Sequence, residues 1–105
     1  IIFQSAELLN ITYLEKNAYC LLTDSGTVPE ETLYFKKPCV TIRDTTERPE
    51  IIEAGSNILS GLMPDDMLRS TESITSGKPD WQWNEALGDG KTSRKVINIL
   101  NGKLY

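Results

Sequence analysis

Tyr19-Cys20-Leu21-Leu22-Thr23-Asp24-Ser25-Gly26-Thr27-Val28-Pro29-Glu30-Glu31 contains the change of period that decides the fold. Residues 19–22 are continuously apolar rather than alternating, which is how a strand buried on both faces reads. Asp24-Ser25-Gly26 breaks that run. A helix follows from about Pro29, because proline at a first-turn position has no amide hydrogen to lose and a preset φ. Glu30 and Glu31 fall in that first turn, well placed against the helix dipole.

The same alternation extends in both directions. Upstream, residues 1–3 could end a strand and Ser5 could cap a helix. Ala6, Leu8, Leu9, Ile11 and Leu14 form its stripe toward Ala18. Downstream, Lys36-Lys37-Pro38 closes the second helix and residues 39–42 make the next buried strand. A polar connection, residues 43–48, leads to Pro49 and a short helix whose end suits Gly55. Residues 57–60 are a third strand, Pro64 opens a helix to about Ile74, and residues 81–90 read as irregular. A last helix spans residues 92–100, with Gly102 ending it. Strands alternating with helices predict an open parallel sheet covered on both faces, part of a Rossmann-like doubly wound α/β fold. Ligands of such sheets bind outside the carboxyl ends of the strands, so loops 24–28 and 43–48 are where chemistry belongs.

Loop 24–28 leaves a strand and enters a helix. Amide groups and a positive dipole end converge there, an arrangement suited to phosphate. Gly26 allows close approach, and the Ser25 hydroxyl adds a donor. The alternative is that Asp24 or Ser25 simply caps the helix. Glu31, one turn on, can accept paired hydrogen bonds from a ribose diol, or else is a solvated first-turn carboxylate. Glu30 reads as a surface or structural charge. In Arg43-Asp44-Thr45-Thr46-Glu47-Arg48 an arginine could clamp a diphosphate, or the loop could be a salt-bridged surface. Gly88-Asp89-Gly90-Lys91-Thr92-Ser93 lacks the upstream glycine of a phosphate-binding P-loop and reads as a turn capped by Thr92 or Ser93. Trp81 and Trp83 either stack on a ligand or pack an irregular segment onto the domain.

Composition narrows the class. The chain has 105 residues, enough for one small domain. A net charge of −4 with scattered basic residues argues against nucleic acid as partner. No apolar run approaches the length of a membrane span, and no signal peptide is expected, because Ile1-Ile2-Phe3 lacks a basic leader and a cleavage site. The carboxylates follow no metal-ligand spacing. There are two cysteines, Cys20 and Cys39, expected as reduced thiols on adjacent strands rather than a disulfide, and no histidine. Acid–base chemistry would therefore fall to carboxylates or to another segment. A chain opening on Ile1 inside an apolar run reads as a single partial domain, residues 1–105, of something longer.

TDSGTVPEE, KKPCVTIRDTTERPEIIEAG and GDGKTSRKVINIL together resemble the C-terminal domain of the non-hydrolysing UDP-N-acetylglucosamine 2-epimerases, over most of residues 17–101. The resemblance implies a two-domain GT-B architecture with the active site between the halves. It also implies a cytoplasmic homodimer acting on a UDP-sugar without metal or nicotinamide. Such enzymes interconvert UDP-GlcNAc and UDP-ManNAc by eliminating UDP to an enzyme-bound glycal and adding it back. The resemblance further implies that Ser25, Gly26 and Thr27 hold the diphosphate, Glu31 the ribose hydroxyls, and Arg48 the phosphate side. Thr27 replaces a common Gly and Pro29 a common Gln, which suits a subgroup acting on another 2-acetamido sugar, such as a 6-deoxy one. Ile11 stands where an aromatic usually meets uracil, and Ala6 near a Gln position. The family's catalytic carboxylates and histidine belong to segments absent here, so no catalytic residue is expected in this chain, and its last helix would lean on the N-terminal domain. The donor-binding half of a GT-B glycosyltransferase is the alternative.

Overall fold

The computed structural model describes residues 7–83 and 85–103. The expectations placed on residues 1–3, Ser5 and Ala6 lie outside that range. In chain order the elements are α1 (Leu8–Asn17), β1 (Leu21–Thr23), α2 (Val28–Tyr34), β2 (Cys39–Thr41), α3 (Pro49–Ala54), β3 (Asn57–Leu59), α4 (Pro64–Thr75), a 3₁₀ turn (Glu85–Leu87) and α5 (Thr92–Leu100). The strands form one sheet, ordered β1-β2-β3 and parallel throughout.

Local chemistry sets most boundaries. Prolines stand in the first turns of α2, α3 and α4, together with Glu30 and Glu31, Glu50, and Asp65 and Asp66. This pairs preset φ with favourable charge at the positive dipole end. α3 stops at Gly55, whose φ of 88° lies in the left-handed region. α5 begins differently from the expected Thr92 or Ser93 cap. Its cap residue is Lys91, without a side-chain cap bond, and the turn is fixed instead by Asp89. That carboxylate accepts the Lys91 amide at 2.9 Å and the Lys95 ammonium at 3.1 Å. The Lys91 hydrogen bond first, then Lys95, holds the Asp89 carboxyl below its usual range.

The core centres on β2. Cys39, Val40 and Thr41 are all buried although they alternate between faces, so both faces of this strand are covered. The two crossovers run the same way across the sheet, so right-handed connections put α2 and α3 on one face. α4 also packs on β2 and β3 and is left to cover the other. Leu33 of α2, Ile51 of α3 and Ile74 of α4 complete the buried apolar set. Each such side chain contributes about 1.5–3 kcal/mol on burial.

Three expectations change. First, β1 starts at Leu21, not Tyr19, because its register is set by Leu21 opposite Cys39, and Tyr19 is 80% exposed ahead of it. Second, β1 is not buried on both faces. Among the described residues it is a sheet edge, and Leu22, which shares the Val40 face, is 48% exposed, whereas α4 packs chiefly on β2 and β3. Third, Leu8 and Leu9 of the α1 stripe are exposed, while Glu15 near the other end of α1 is buried against the domain. The cysteines are free, as expected, but Cys20 precedes β1 and is only half-buried. Burial pushes the Cys39 thiol up to about 12, outweighing hydrogen bonds with Thr32 and Asn57. Trp81 lies against Gly55, and Trp83 stands edge-on to Tyr34 at 6.1 Å. The Trp83 indole donates to the Gly88 carbonyl at 2.9 Å. Both tryptophans thus pack the irregular segment onto the domain.

Candidate functional site

Loops 24–28 and 43–48 both leave the carboxyl end of the sheet, as parallel strands joined by helices require. Strand pairing continues into their roots: the Ile42 amide donates to the Thr23 carbonyl at 2.8 Å, and the Gly61 amide to the Arg43 carbonyl at 3.0 Å. The first of these bonds holds the two loops side by side, and the second ties loop 43–48 to the segment after β3.

In the first loop, the Ser25 amide donates to Thr23 Oγ1 at 3.0 Å, turning the chain sharply out of the strand. The Ser25 hydroxyl oxygen then accepts the Thr27 amide at 3.2 Å and the Val28 amide at 3.4 Å. It also pairs with the Thr27 hydroxyl at 3.2 Å. The N-cap residue of α2 is Thr27, without a side-chain cap bond, and the Ser25 hydroxyl closes the turn ahead of it; the amides aimed at its oxygen are the ones an anion would take over. Gly26 has no positive φ, and the second loop lies close over it. A Cβ there would collide with the Glu47 carboxylate, and Arg43 Nη1 would lie 3.8 Å away. Arg43 and Glu47 are themselves paired at 3.5 Å.

Arg48 reaches the same place. Its Nε lies 2.6 Å from Glu30 Oε1, in the first turn of α2, on the same side of the sheet as Ser25. The contact is a charge pair rather than an aligned hydrogen bond, since Glu30 Oε1 is buried without a bond of good geometry. It engages Nε of a side chain that is 46% exposed. Thr46 Oγ1 accepts the Arg48 amide at 3.0 Å and shapes the approach. Glu30 is thus the structural charge the sequence suggests, with Arg48 as its partner.

Glu31 is half-buried and turns away from Arg48 toward α1, where it neighbours Glu15. Glu15 is 2% exposed, and neither of its carboxyl oxygens has a hydrogen-bond partner among the described residues. Burial first, then contact and like charge from Glu31, push the Glu15 carboxyl up to about 8. Beside this pair runs an open groove of about 510 Å³, lined by Ile11, Leu14, Glu15, Leu22, Thr23 and Val28 among others. Ser25, Gly26, Thr27 and Arg48 therefore meet at one edge, with Glu31 on its α1 side. Sequence reasoning named Arg43 and Glu47 only as members of their loop and passed over Glu15. The signal for Glu15 was available: it follows Ile11 by four residues, a carboxylate at a core position of the α1 stripe. No group of three metal-ligating side chains occurs among the described residues, and none of their helices is long and apolar enough to cross a membrane.

The family model described as UDP-N-acetylglucosamine 2-epimerase matches residues 1–101. The chain belongs to this family. The UDP-N-acetylglucosamine 2-epimerase of Methanocaldococcus jannaschii is 40% identical over 104 residues, which cover 99% of this chain and 28% of that protein. The crystal structure of the M. jannaschii UDP-GlcNAc 2-epimerase in complex with UDP-GlcNAc and UDP superposes with a TM-score of 0.81 at 41% identity. That match covers 90% of this chain and 25% of the other. The UDP-2,3-diacetamido-2,3-dideoxy-D-glucuronate 2-epimerase of Pseudomonas aeruginosa is 35% identical over 92 residues, 88% of this chain and 26% of that one. The chain thus spans about 28% of the length of such UDP-N-acetylglucosamine 2-epimerase relatives. Its parallel sheet is a Rossmann-like part of the GT-B architecture of this epimerase family.

Proposed function

We propose that the chain is the UDP-binding portion of a UDP-sugar 2-epimerase, an isomerase whose intact form interconverts UDP-GlcNAc and UDP-ManNAc, or 6-deoxy analogues. The carrying observation is the meeting of two strand-end loops over Gly26, with Glu47 and Arg43 above it and Arg48 at the first turn of α2. With the exposed Glu47 side chain swung aside, a diphosphate laid on Gly26 takes the Thr27 and Val28 amides from the Ser25 hydroxyl, which then turns to donate. The Nη groups of Arg48 complete the clamp, since a guanidinium held at Nε still presents a planar fork to an oxyanion. Glu31 accepts the ribose hydroxyls, and uracil enters the groove bordered by Ile11, Thr23 and Val28. Ile11 offers an apolar wall where an aromatic would stack.

Family membership and the relative crystallised with UDP-GlcNAc and UDP favour this reading over the donor half of a glycosyltransferase. Elimination breaks the bond between the anomeric carbon and UDP and removes the C2 proton, leaving a glycal. Re-addition returns the proton to the opposite face of C2. Binding UDP in both states is what this chain contributes, and the proton-transfer groups come from a preceding domain of the same enzyme. Exposed Val96, Ile97, Ile99 and Leu100 give α5 an apolar surface that supports contact with such a domain. A cytoplasmic homodimer completes the proposal.

The test is to incubate the intact enzyme with UDP-GlcNAc and follow the anomeric and C2 proton signals by NMR. Appearance of UDP-ManNAc to a fixed ratio, with solvent deuterium entering at C2, is expected. Release of UDP and free sugar as the end products, or turnover only when a sugar acceptor is added, would overturn the assignment.

A further inference from the structure

Glu15 is a buried carboxyl without a hydrogen-bond partner among the described residues, on the wall of the groove and beside the side chain assigned to ribose. The titratable groups facing it are Glu31 from α2, Cys39 from β2 and Cys20 ahead of β1. None of these brings a positive charge, and Lys16 and Tyr13 on α1 are exposed. An ionised carboxylate in such surroundings is costly, so the group is held as the neutral acid. A neutral carboxyl has one O–H to donate, and the neighbouring acceptor is the Glu31 carboxylate.

We propose that Glu15 is a positioning residue for nucleotide binding, its carboxylic O–H holding the Glu31 carboxylate in the orientation that receives the ribose hydroxyls. The proposal rests on Glu31 as the ribose acceptor. One Glu31 oxygen takes the Glu15 proton and the other faces the diol, so the ligand meets an oriented acceptor rather than a freely rotating one. Without ligand the two carboxyls stand side by side, short of a well-formed bond. Such contacts tighten in the complex. The arrangement also links affinity to pH. Where Glu15 is ionised, binding must take up a proton, and affinity falls by up to roughly tenfold per pH unit.

The experiment is calorimetric titration of the intact enzyme with UDP and with 2′,3′-dideoxy-UDP across pH 6.5–9.5. Wild type should bind UDP evenly below about pH 8 and progressively more weakly above it. Glu15→Gln keeps a donor at every pH and should lose that decline. Glu15→Met has no donor and should bind UDP several-fold more weakly throughout. The dideoxy probe should bind wild type and both variants alike. A Glu15→Gln profile that still falls like wild type, or Glu15→Met binding UDP as tightly as wild type, overturns the proposal. Glu31→Gln separates the two readings. If it leaves UDP affinity unchanged, the ribose assignment fails first. If it weakens UDP while both Glu15 variants match wild type, positioning alone fails.

Discussion

Replacing Glu15 with methionine should stabilise the fold, and by an amount that depends on pH. The side chain is 2% exposed, and its pKa rises from 4.5 to about 8, chiefly through burial. A raised pKa means the folded state binds a proton that the unfolded chain releases. The contribution of the neutral acid is therefore fully present below about pH 4.5 and is lost progressively up to about pH 8. At about 1.36 kcal/mol per pK unit, that loss is on the order of 5 kcal/mol. A methionine side chain in its place does not titrate and fills a similar volume, so the variant keeps what the native protein loses. Urea unfolding of wild type and Glu15→Met, followed by tryptophan fluorescence at pH 5 and at pH 8.5, measures the difference. The gap between the two midpoints should widen in favour of the variant at the higher pH. A gap that stays constant would show that Glu15 ionises normally in the folded state. The burial argument, and with it the neutral O–H needed to orient Glu31, would then fail together.

Other perturbations probe the loops and the core. Glu31→Gln in the intact enzyme should weaken UDP binding by roughly 1–3 kcal/mol, and calorimetry showing no change would mark Glu31 as a solvated carboxylate. Arg48→Ala should lower affinity or turnover more than Glu50→Ala in the next helix, and steady-state kinetics giving the reverse order would remove Arg48 from the phosphate clamp. Gly26→Ala should fold with little loss, because its Cβ meets the movable end of Glu47, yet it should bind UDP at least several-fold more weakly as the new methyl fills the diphosphate floor. Ile51→Ala, at a fully buried position, should cost roughly 2–5 kcal/mol in chemical denaturation.

The alternation of short apolar runs and helical stripes was enough to read the sheet, because parallel strands need both long crossovers and continuous apolar character. Gly55 and the three first-turn prolines marked helix ends through backbone constraints that no tertiary contact overrides. What the sequence could not show was coverage. Tyr19-Cys20-Leu21-Leu22 looks like any buried strand, but whether Leu22 is covered depends on where α4 lies, which no local pattern records. In the candidate site, Ser25 and Gly26 stood out by their place at a strand end, whereas Thr27 and Arg48 were singled out only by the family resemblance. Arg43 and Glu47 were not separable from the other charged residues of their loop, since their contact with Gly26 depends on how two loops stack. Glu15 broke the stripe of α1, and a broken stripe alone does not say which neighbour the odd residue meets.

The consecutive glutamates of α2 carry the strongest functional logic in this arrangement. Neighbouring residues on a helix point about 100° apart. At the first turn of α2, Glu30 therefore faces the second loop and pairs with Arg48, while Glu31 faces α1 and Glu15. One helix end carries both sides of the proposed site, so a shift of α2 that improves the proposed phosphate clamp also moves the proposed ribose acceptor. Residues coupled through a shared element depart from additivity by about 0.5–3 kcal/mol in double-mutant cycles. Combining Glu30→Gln with Glu15→Met should accordingly change UDP affinity by less than the sum of the single effects, although the two carboxyls do not touch. Strict additivity would mean that the clamp and the ribose acceptor are held independently, and that α2 is a scaffold for two sites rather than the joint between them.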